Sequence, residues 1–462
     1  MCGHRQCQSH AVIIHPSRLQ ARNAEPSGDI IRAMQYGRPD GTFDIVPPVP
    51  RGRKEARSFV NDSACWLHVE SVFRAVCKTY GFSEIRTPMF EQTDLFHRAV
   101  GDGTDIVAKE TYDFVTRGGD RLTLRPEGTA GAIRAYVSER MWIERPIAKL
   151  LYIGPNFRYE RAQRGRYRQH HQAGVEVLGA SMPSIDAEII DLAVAFYKAL
   201  GIADITVKVN SVGTKESRAN YLDALKAYAA PLLGEMSDDN KRRYEQNPLR
   251  MLDSKDKRDI ALLENAPNLI DFLDDASAEH FNSVCSYLTA LAIPFEIDHR
   301  LVRGFDYYTR TAFEIQCNVL GDKALGGGGR YNQLVEQLGG PATPGIGFGL
   351  GIERVLITME ELGLPRPVGN QLDAFICPMG DAARDASTTI VSSLRQSGLG
   401  IDVDYLGRRL KAMLEMADAG GARYAIVIGD NELATQTVSV RELSTQSQQS
   451  VPLSELVTFL QR

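Results

Sequence analysis

The chain has 462 residues, enough for about three domains with separate cores. Hydrophobic residues make up 43% and charged ones 24%, an ordinary globular composition, and no apolar run approaches the ~20 residues that cross a bilayer, so no membrane partner is expected. With 53 basic against 58 acidic side chains the net charge is −5, which excludes a generally basic surface and leaves nucleic acid to local patches. The seven cysteines, Cys2, Cys7, Cys65, Cys77, Cys285, Cys317 and Cys377, are scattered without a Cys-x-x-Cys pair. That argues against a disulfide framework or a zinc ribbon and for a reducing, cytoplasmic setting.

Residues 1–40 lack periodicity and are expected to form a disordered N-terminal extension. Cys2, His4, Cys7 and His10 fit no zinc spacing. From about Lys54 to Tyr80, Phe59, Trp66, Val69, Val72, Phe73 and Val76 recur at helical intervals. Gly81 ends that helix, and Phe82 to Phe90 reads as a strand interrupted by Pro88, hence an edge, a bulge or an interface. Two short strands, Thr111 to Val115 and Arg121 to Arg125, form a hairpin that delivers Glu127 and Thr129 to the start of a helix from Ala130 to Arg140. A carboxylate and a hydroxyl there are helix caps or, alternatively, ligands for an ammonium group.

Next comes the densest cluster of charge. Lys149 to Ile153 and Ala173 to Leu178 read as strands, and between them lie Arg158, Arg161, Arg164, Arg166 and Arg168 against one acid, Glu160. The turn-prone Arg164-Gly165 makes this a hairpin with a basic loop. Such a loop is either a solvated charge run or a site for an anion, since planar guanidinium groups bind phosphate or carboxylate in pairs of hydrogen bonds. Gln172 and Glu176 favour the second reading. Four apart on a strand, they face one side, and Glu176 between Val175 and Val177 needs a partner.

Residues 212–296 are charged and helix-rich, a helical insertion in a sheet that resumes near Phe295. The resumed sheet carries Leu301 to Ile315, with Arg303 just ahead of Tyr307 and Tyr308, which can stack on or hydrogen-bond a flat polar ligand. Gly326 to Gly329 precede Arg330, without the Gly-Lys-Ser/Thr of a Walker loop. Gly345, Gly347, Gly349 and Gly351 alternate with Ile346, Phe348, Leu350 and Ile352 before Glu353 and Arg354, which open a helix. This is either a packing strand or one whose bare face is a shelf for a purine ring. A Rossmann turn fails because position 350 is leucine. After the linker Pro365 to Gly369, strands and helices alternate to the end in a small α/β domain. There Arg408, Arg409 and Lys411 are a solvated helix start or an RNA contact.

Phe157-Arg158-Tyr159-Glu160-Arg161 followed by Gly165-Arg166-Tyr167-Arg168-Gln169 resembles the second signature motif of class II aminoacyl-tRNA synthetases, in the form found in histidyl-tRNA synthetases. Leu301 to Phe313 and Gly345 to Leu356 resemble the same family, and the likeness covers nearly the whole chain from Gly41 onward. It implies an α+β catalytic domain built on an antiparallel sheet, in 41–211 and 297–364, with a helical insertion at 212–296 and a C-terminal α/β anticodon-binding domain at 371–462. It implies a homodimer that activates L-histidine with ATP and Mg2+ and transfers it to its tRNA. By resemblance, Arg158 and Arg303 are catalytic and contact ATP together with Glu160, Glu353 and Arg354. Glu127, Thr129, Gln172, Glu176, Arg303, Tyr307 and Tyr308 hold histidine, and Arg161, Gln163, Arg164 and Arg166 meet the tRNA acceptor end. Magnesium ligands are not assigned. The chain departs from the family in having Gly326 for the usual cysteine and Asn332 for an aspartate. A non-catalytic regulatory paralogue of histidine biosynthesis is the alternative.

Overall fold

The computed structural model describes residues 37–50, 56–101, 104, 106–305, 307–321, 324–367, 369 and 371–462. The expected N-terminal extension and its Cys/His cluster lie almost wholly outside the described residues. Asp40 to Arg462 form one compact unit.

Its centre is an eight-stranded sheet. In chain order the strands are β1 (Ser83–Glu84), then, after the separate three-stranded sheet of β2 (Phe90–Gln92), β3 (Tyr112–Val115) and β4 (Arg121–Leu124), β5 (Ala148–Phe157), β6 (Gln169–Leu178), β7 (Ile205–Ser211), β8 (Phe295–Ile297), β9 (Thr309–Cys317), β10 (Ala324–Arg330) and β11 (Gly345–Gly351). The spatial order is β1-β5-β6-β11-β10-β9-β7-β8. Every internal pair from β5 to β7 is antiparallel, and the short edge strands β1 and β8 join in parallel.

Register sorts the residues onto two faces. One row across the sheet reads Leu151, Val175, Phe348, Gly328, Phe313, Val209. These side chains form the main core with helices Ser63–Thr79, Pro183–Ala199 and Ile352–Glu361. Phe73 meets Phe196 and Phe348 edge-on, at ring separations of 5.2 and 6.5 Å. The rows of opposite parity read Tyr152, Gly174, Gly349, Gly327, Glu314, Lys208 and Leu150, Glu176, Gly347, Gly329, Ala312, Asn210. This face is bare at its middle and polar around it, because alternation puts every apolar residue of β11 on the other side.

Several boundaries differ from those expected. The first helix begins at Ser63, not near Lys54, because the Asp62 carboxylate accepts from the Ala64 N–H at 3.0 Å and caps it there. Phe82 to Phe90 is not one strand: β1 and β2 belong to different sheets, with Pro88 between them. Residues 301–305, 307 and 308 are loop, and β9 starts only at Thr309. A register shift against β10, with Arg310 at φ 52°, marks that start. Helix Asp275–Ala290, placed by the sequence in the insertion, packs on Pro183–Ala199. Its Phe281, Val284 and Leu288 belong to the main core, and His280 Nε2 lies 3.3 Å from the buried Asp186 carboxylate. Residues 215–272 instead pack around Tyr221, Leu225, Met236, Met251 and Leu269, in a second core.

The C-terminal part has its own sheet, ordered β13 (Ile401–Val403), β12 (Ala374–Pro378), β14 (Tyr424–Ile428), β15 (Thr437–Glu442), β16 (Gln448–Pro452). The first three strands are parallel and the last two antiparallel, with helices such as Asp381–Gln396 and Leu410–Ala419 between them. Among the described residues no helix is long and apolar enough to cross a membrane.

Candidate active site

The bare face of the main sheet is the floor of a cavity of about 330 Å³. Glu127, Thr129, Arg158, Glu160, Arg166, Gln172, Glu176, Arg303, Tyr307, Tyr308, Glu353 and Arg354 all line it. These come from segments more than two hundred residues apart, Glu127 to Arg354, brought together by strand order. Of the predicted set, Arg161, Gln163 and Arg164 do not line the cavity; they sit exposed at the tip of the loop that follows β5.

The glycines of β10 and β11 are needed for what lies over them. A Cβ added to Gly347 would overlap the Glu176 carboxylate, and one on Gly349 the Gln172 amide. A Cβ on Gly327 would stand 2.7 Å from Arg303 Nη1, and one on Gly329 2.9 Å from the Tyr308 ring. The expected purine shelf is therefore covered at Gly347 and Gly349 by side chains from β6. Only at Gly351 is the floor open, where an added Cβ meets nothing nearer than Arg354 Cγ at 4.0 Å.

One end of the cavity is acidic. Glu176 is 1% exposed; Tyr152 donates its hydroxyl to Oε1 at 3.1 Å, and the Tyr331 hydroxyl donates to Oε2. Burial outweighs those donors and pushes the carboxyl up to about 8, while burial likewise keeps both phenols protonated. Glu127, also buried, does cap a helix: its oxygens accept from the Thr129 and Ala130 N–H groups at 2.6 and 2.7 Å. It still reaches the cavity, and burial raises its carboxyl despite the caps. Gln172 has its carbonyl taken by Asn156 at 2.7 Å and the Gly128 N–H at 3.2 Å, which fixes its amide nitrogen over Gly349.

The other end is basic. Arg158 is braced by donating Nε to the Pro126 carbonyl at 2.8 Å, and Arg354 by donating Nη1 to the Ala324 carbonyl at 2.7 Å. Burial and the neighbouring Arg166 lower the Arg354 guanidinium. Arg303 reaches Glu314 at 3.5 Å and leaves its buried Nε without a partner. Arg166 pairs with Glu160 at 3.3 Å, and the turn beneath it uses Gly165 at φ 79°. Glu353 accepts from the His171 N–H at 2.8 Å and lies 3.0 Å from its Nδ1, so one of its oxygens serves the protein.

Sequence reasoning missed Tyr152, Tyr331, His170, His171 and Glu314. Tyr152 lies under Gly128 and Gly174, where any side chain would strike its ring. His170 lines the cavity and is held well below its usual range by burial and then by Arg158. Asn332, the departure from the family pattern, accepts from the buried Arg330 at 3.3 Å, alongside the Arg330–Asp186 ion pair. In the C-terminal domain, Tyr405 and Leu406 are 74% and 67% exposed beside the basic cluster.

The family model for histidyl-tRNA synthetase matches residues 62–355, and that for an anticodon binding domain matches 373–462. The chain belongs to the histidyl-tRNA synthetase family. A histidine–tRNA ligase of Geobacillus kaustophilus is 47% identical over 432 residues, covering 92% of this chain and 98% of that protein. One from Protochlamydia amoebophila is 43% identical over 428 residues, covering 92% of this chain and all of the relative. The crystal structure of apo S. aureus histidyl-tRNA synthetase has a TM-score of 0.76 at 37% identity, covering 93% of this chain and 100% of that one. The class II synthetase fold expected from the motifs is thus the family's own.

Proposed function

We propose that the cavity binds MgATP and L-histidine together and joins them, as the first half of a histidine–tRNA ligase reaction. The observation that carries this reading is the meeting of Arg158, Arg303 and Arg354 with Glu127 and Glu176 in one cavity. A carboxylate oxygen of histidine attacks the α-phosphorus of ATP. The bond to the bridging oxygen breaks and pyrophosphate leaves with its electron pair. Negative charge grows on the equatorial oxygens, where Arg158 and Arg303, fixed in advance, stabilise it more than they stabilise bound ATP. Arg354 holds the outer phosphates, Glu353 borders the same ATP site, and the open floor at Gly351 takes the base. No general base is needed, because the nucleophile is already a carboxylate. A ribose hydroxyl at the 3′ end of tRNA then attacks the carbonyl carbon, passes its proton to a phosphate oxygen of the adenylate, and displaces AMP as the carbonyl–phosphate bond breaks.

At the acidic end we assign the α-ammonium to Glu127 and Thr129, with Gln172 near the main chain of histidine. The imidazole goes to Glu176, with Tyr308 and Tyr307 beside it. Glu176 neutral at pH 7 and a neutral imidazole share one proton, so the pair forms without burying an unmatched charge. Magnesium enters on the phosphates as part of the substrate. It needs only one or two carboxylates and keeps much of its water. Glu160 and Glu314, each beside an arginine, fit that need; among the described residues no cluster of three or more His, Cys, Asp or Glu forms a ready cage.

The exposed tip, Arg161, Gln163 and Arg164, with Arg166 running back to the cavity, suits the acceptor end of tRNA. Arg408, Arg409 and Lys411 suit the anticodon loop. Exposed Met89, Phe90, Phe114 and Val115 on and beside the three-stranded sheet support a homodimer, since such a cluster is costly in water. Five described cysteines are free thiols, in keeping with a cytoplasmic setting. The regulatory alternative is disfavoured by the anticodon-binding match in the last ninety residues.

The test is charging: purified protein, ATP and labelled histidine are mixed with tRNA, and label is expected in the tRNA fraction. Adenylate formation with no transfer to any tRNA would overturn the ligase reading.

A further inference from the structure

Residues 301–305, 307 and 308 have no regular secondary structure, yet Arg303, Tyr307 and Tyr308 among them line the cavity. Behind them lies a second hollow, of about 170 Å³. The loop supplies one wall, including Arg303 and Tyr308, and the helical insertion supplies the other, including Arg218, Leu249 and Arg250. Arg303 and Tyr308 therefore border both spaces. The loop is a partition between the two hollows.

Hydrogen bonds from the insertion hold it. Arg250 Nη2 donates to the Gly304 carbonyl at 2.5 Å, directly after Arg303. Arg218 Nη2 donates to the Tyr308 carbonyl, and its Nε donates to the Val212 carbonyl at 3.2 Å. The base of Arg250 is fixed in turn: Arg243 Nη1 donates to the Arg250 carbonyl at 3.2 Å, and the next residue, Met251, is fully buried. Both arginines thus connect rigid parts of the insertion to the backbone of the residues that face the reacting atoms.

We infer that Arg250 and Arg218 are positioning residues for the adenylation reaction, and that the insertion sets the placement of Arg303 and Tyr308 without touching the substrates through these two side chains. This rests on the site assignment proposed above. A misplacement of about 1 Å costs as much as 10²-fold in rate, so Arg250→Ala should lower kcat/KM for histidine in ATP–pyrophosphate exchange by roughly 10–100-fold. Arg250→Lys, whose ammonium can donate to the same carbonyl, should recover much of that. Amide exchange in 301–308 should quicken in Arg250→Ala while β5 and β6 keep their protection.

A purely structural role would lower the melting temperature and leave the kinetics of the folded enzyme alone. Where Arg250→Ala melts early, Arg218→Ala gives the same kinetic and exchange readout from the other anchor. Wild-type histidine kinetics in both alanine variants, with Arg303→Ala strongly impaired, overturns this inference alone. Wild-type kinetics in Arg303→Ala as well overturns the site assignment beneath it.

Discussion

The carboxylate of Glu176 lies across Gly347, in the space that a side chain on that glycine would take. The two are register partners on β6 and β11, so their backbones cannot part without opening the sheet, and only the Glu176 side chain can give way. Gly347→Ala is therefore a change in the proposed histidine site as well as in the packing of the sheet. Overpacking of this kind costs about 1–3 kcal/mol, and the displaced Glu176 should raise KM for histidine at least ~10-fold, since a buried hydrogen-bond partner is lost. Steady-state exchange at varied histidine, with a melting curve, reads both effects.

Arg303 has a buried Nε without a partner and lines the cavity, where the proposed reaction sets it beside both substrates. Removing one donor aimed at developing charge typically costs 10²–10³-fold. Arg303→Ala should lower the exchange rate by roughly that factor at saturating ATP and histidine. Near-normal exchange would remove Arg303 from the transition state.

Glu176 also predicts a pH dependence of stability. Its folded value of about 8 lies above the ordinary 4.5, so the folded protein holds this proton more tightly than the unfolded chain. Below 4.5 both states carry it; between there and about 8 only the folded state does, so its contribution to stability falls as pH rises through that window. Above about 8 the buried charge is borne in full. Glu176→Gln should flatten this slope, as denaturant melts of both proteins at pH 5.5 and 8.5 would show. An unchanged slope would place the titration elsewhere.

At the loop tip, Arg164 pairs with Glu361 at 2.5 Å, with side chains 63% and 39% exposed. A pair so wet contributes at most about 1 kcal/mol. Arg164→Ala should leave pyrophosphate exchange and melting nearly unchanged, weaken tRNA binding, and reduce the salt slope of that binding by about one. Equal loss of exchange and charging would assign Arg164 to the adenylation site.

Much of this was legible in the sequence because the signals were local. Alternating glycine and apolar residues gave β11 and its bare face, and the spacing of Gln172 and Glu176 placed them on one side of a strand. The hairpin was expected from Lys149 to Ile153 and from Ala173 to Leu178, but its strands run ten residues each, through Asn156 and His170. Of those extra residues His170 and Gln172 line the cavity and Asn156 bonds Gln172, so an apolar pattern could not find them. Tyr331 donates to a carboxylate 155 residues away, and Arg250 to a carbonyl 54 residues away. Such pairs are set by strand order and leave no local trace. The glycine face of β11 does border the cavity, but at Gly347 and Gly349 side chains of the neighbouring strand cover the shelf expected for a purine.

The central claim, that one cavity selects histidine and activates it with ATP, is tested most directly by ATP–pyrophosphate exchange with each of the common amino acids in turn. Exchange that depends on histidine, with the others at background, is the predicted result. Comparable exchange with several amino acids, or none with histidine, would contradict it.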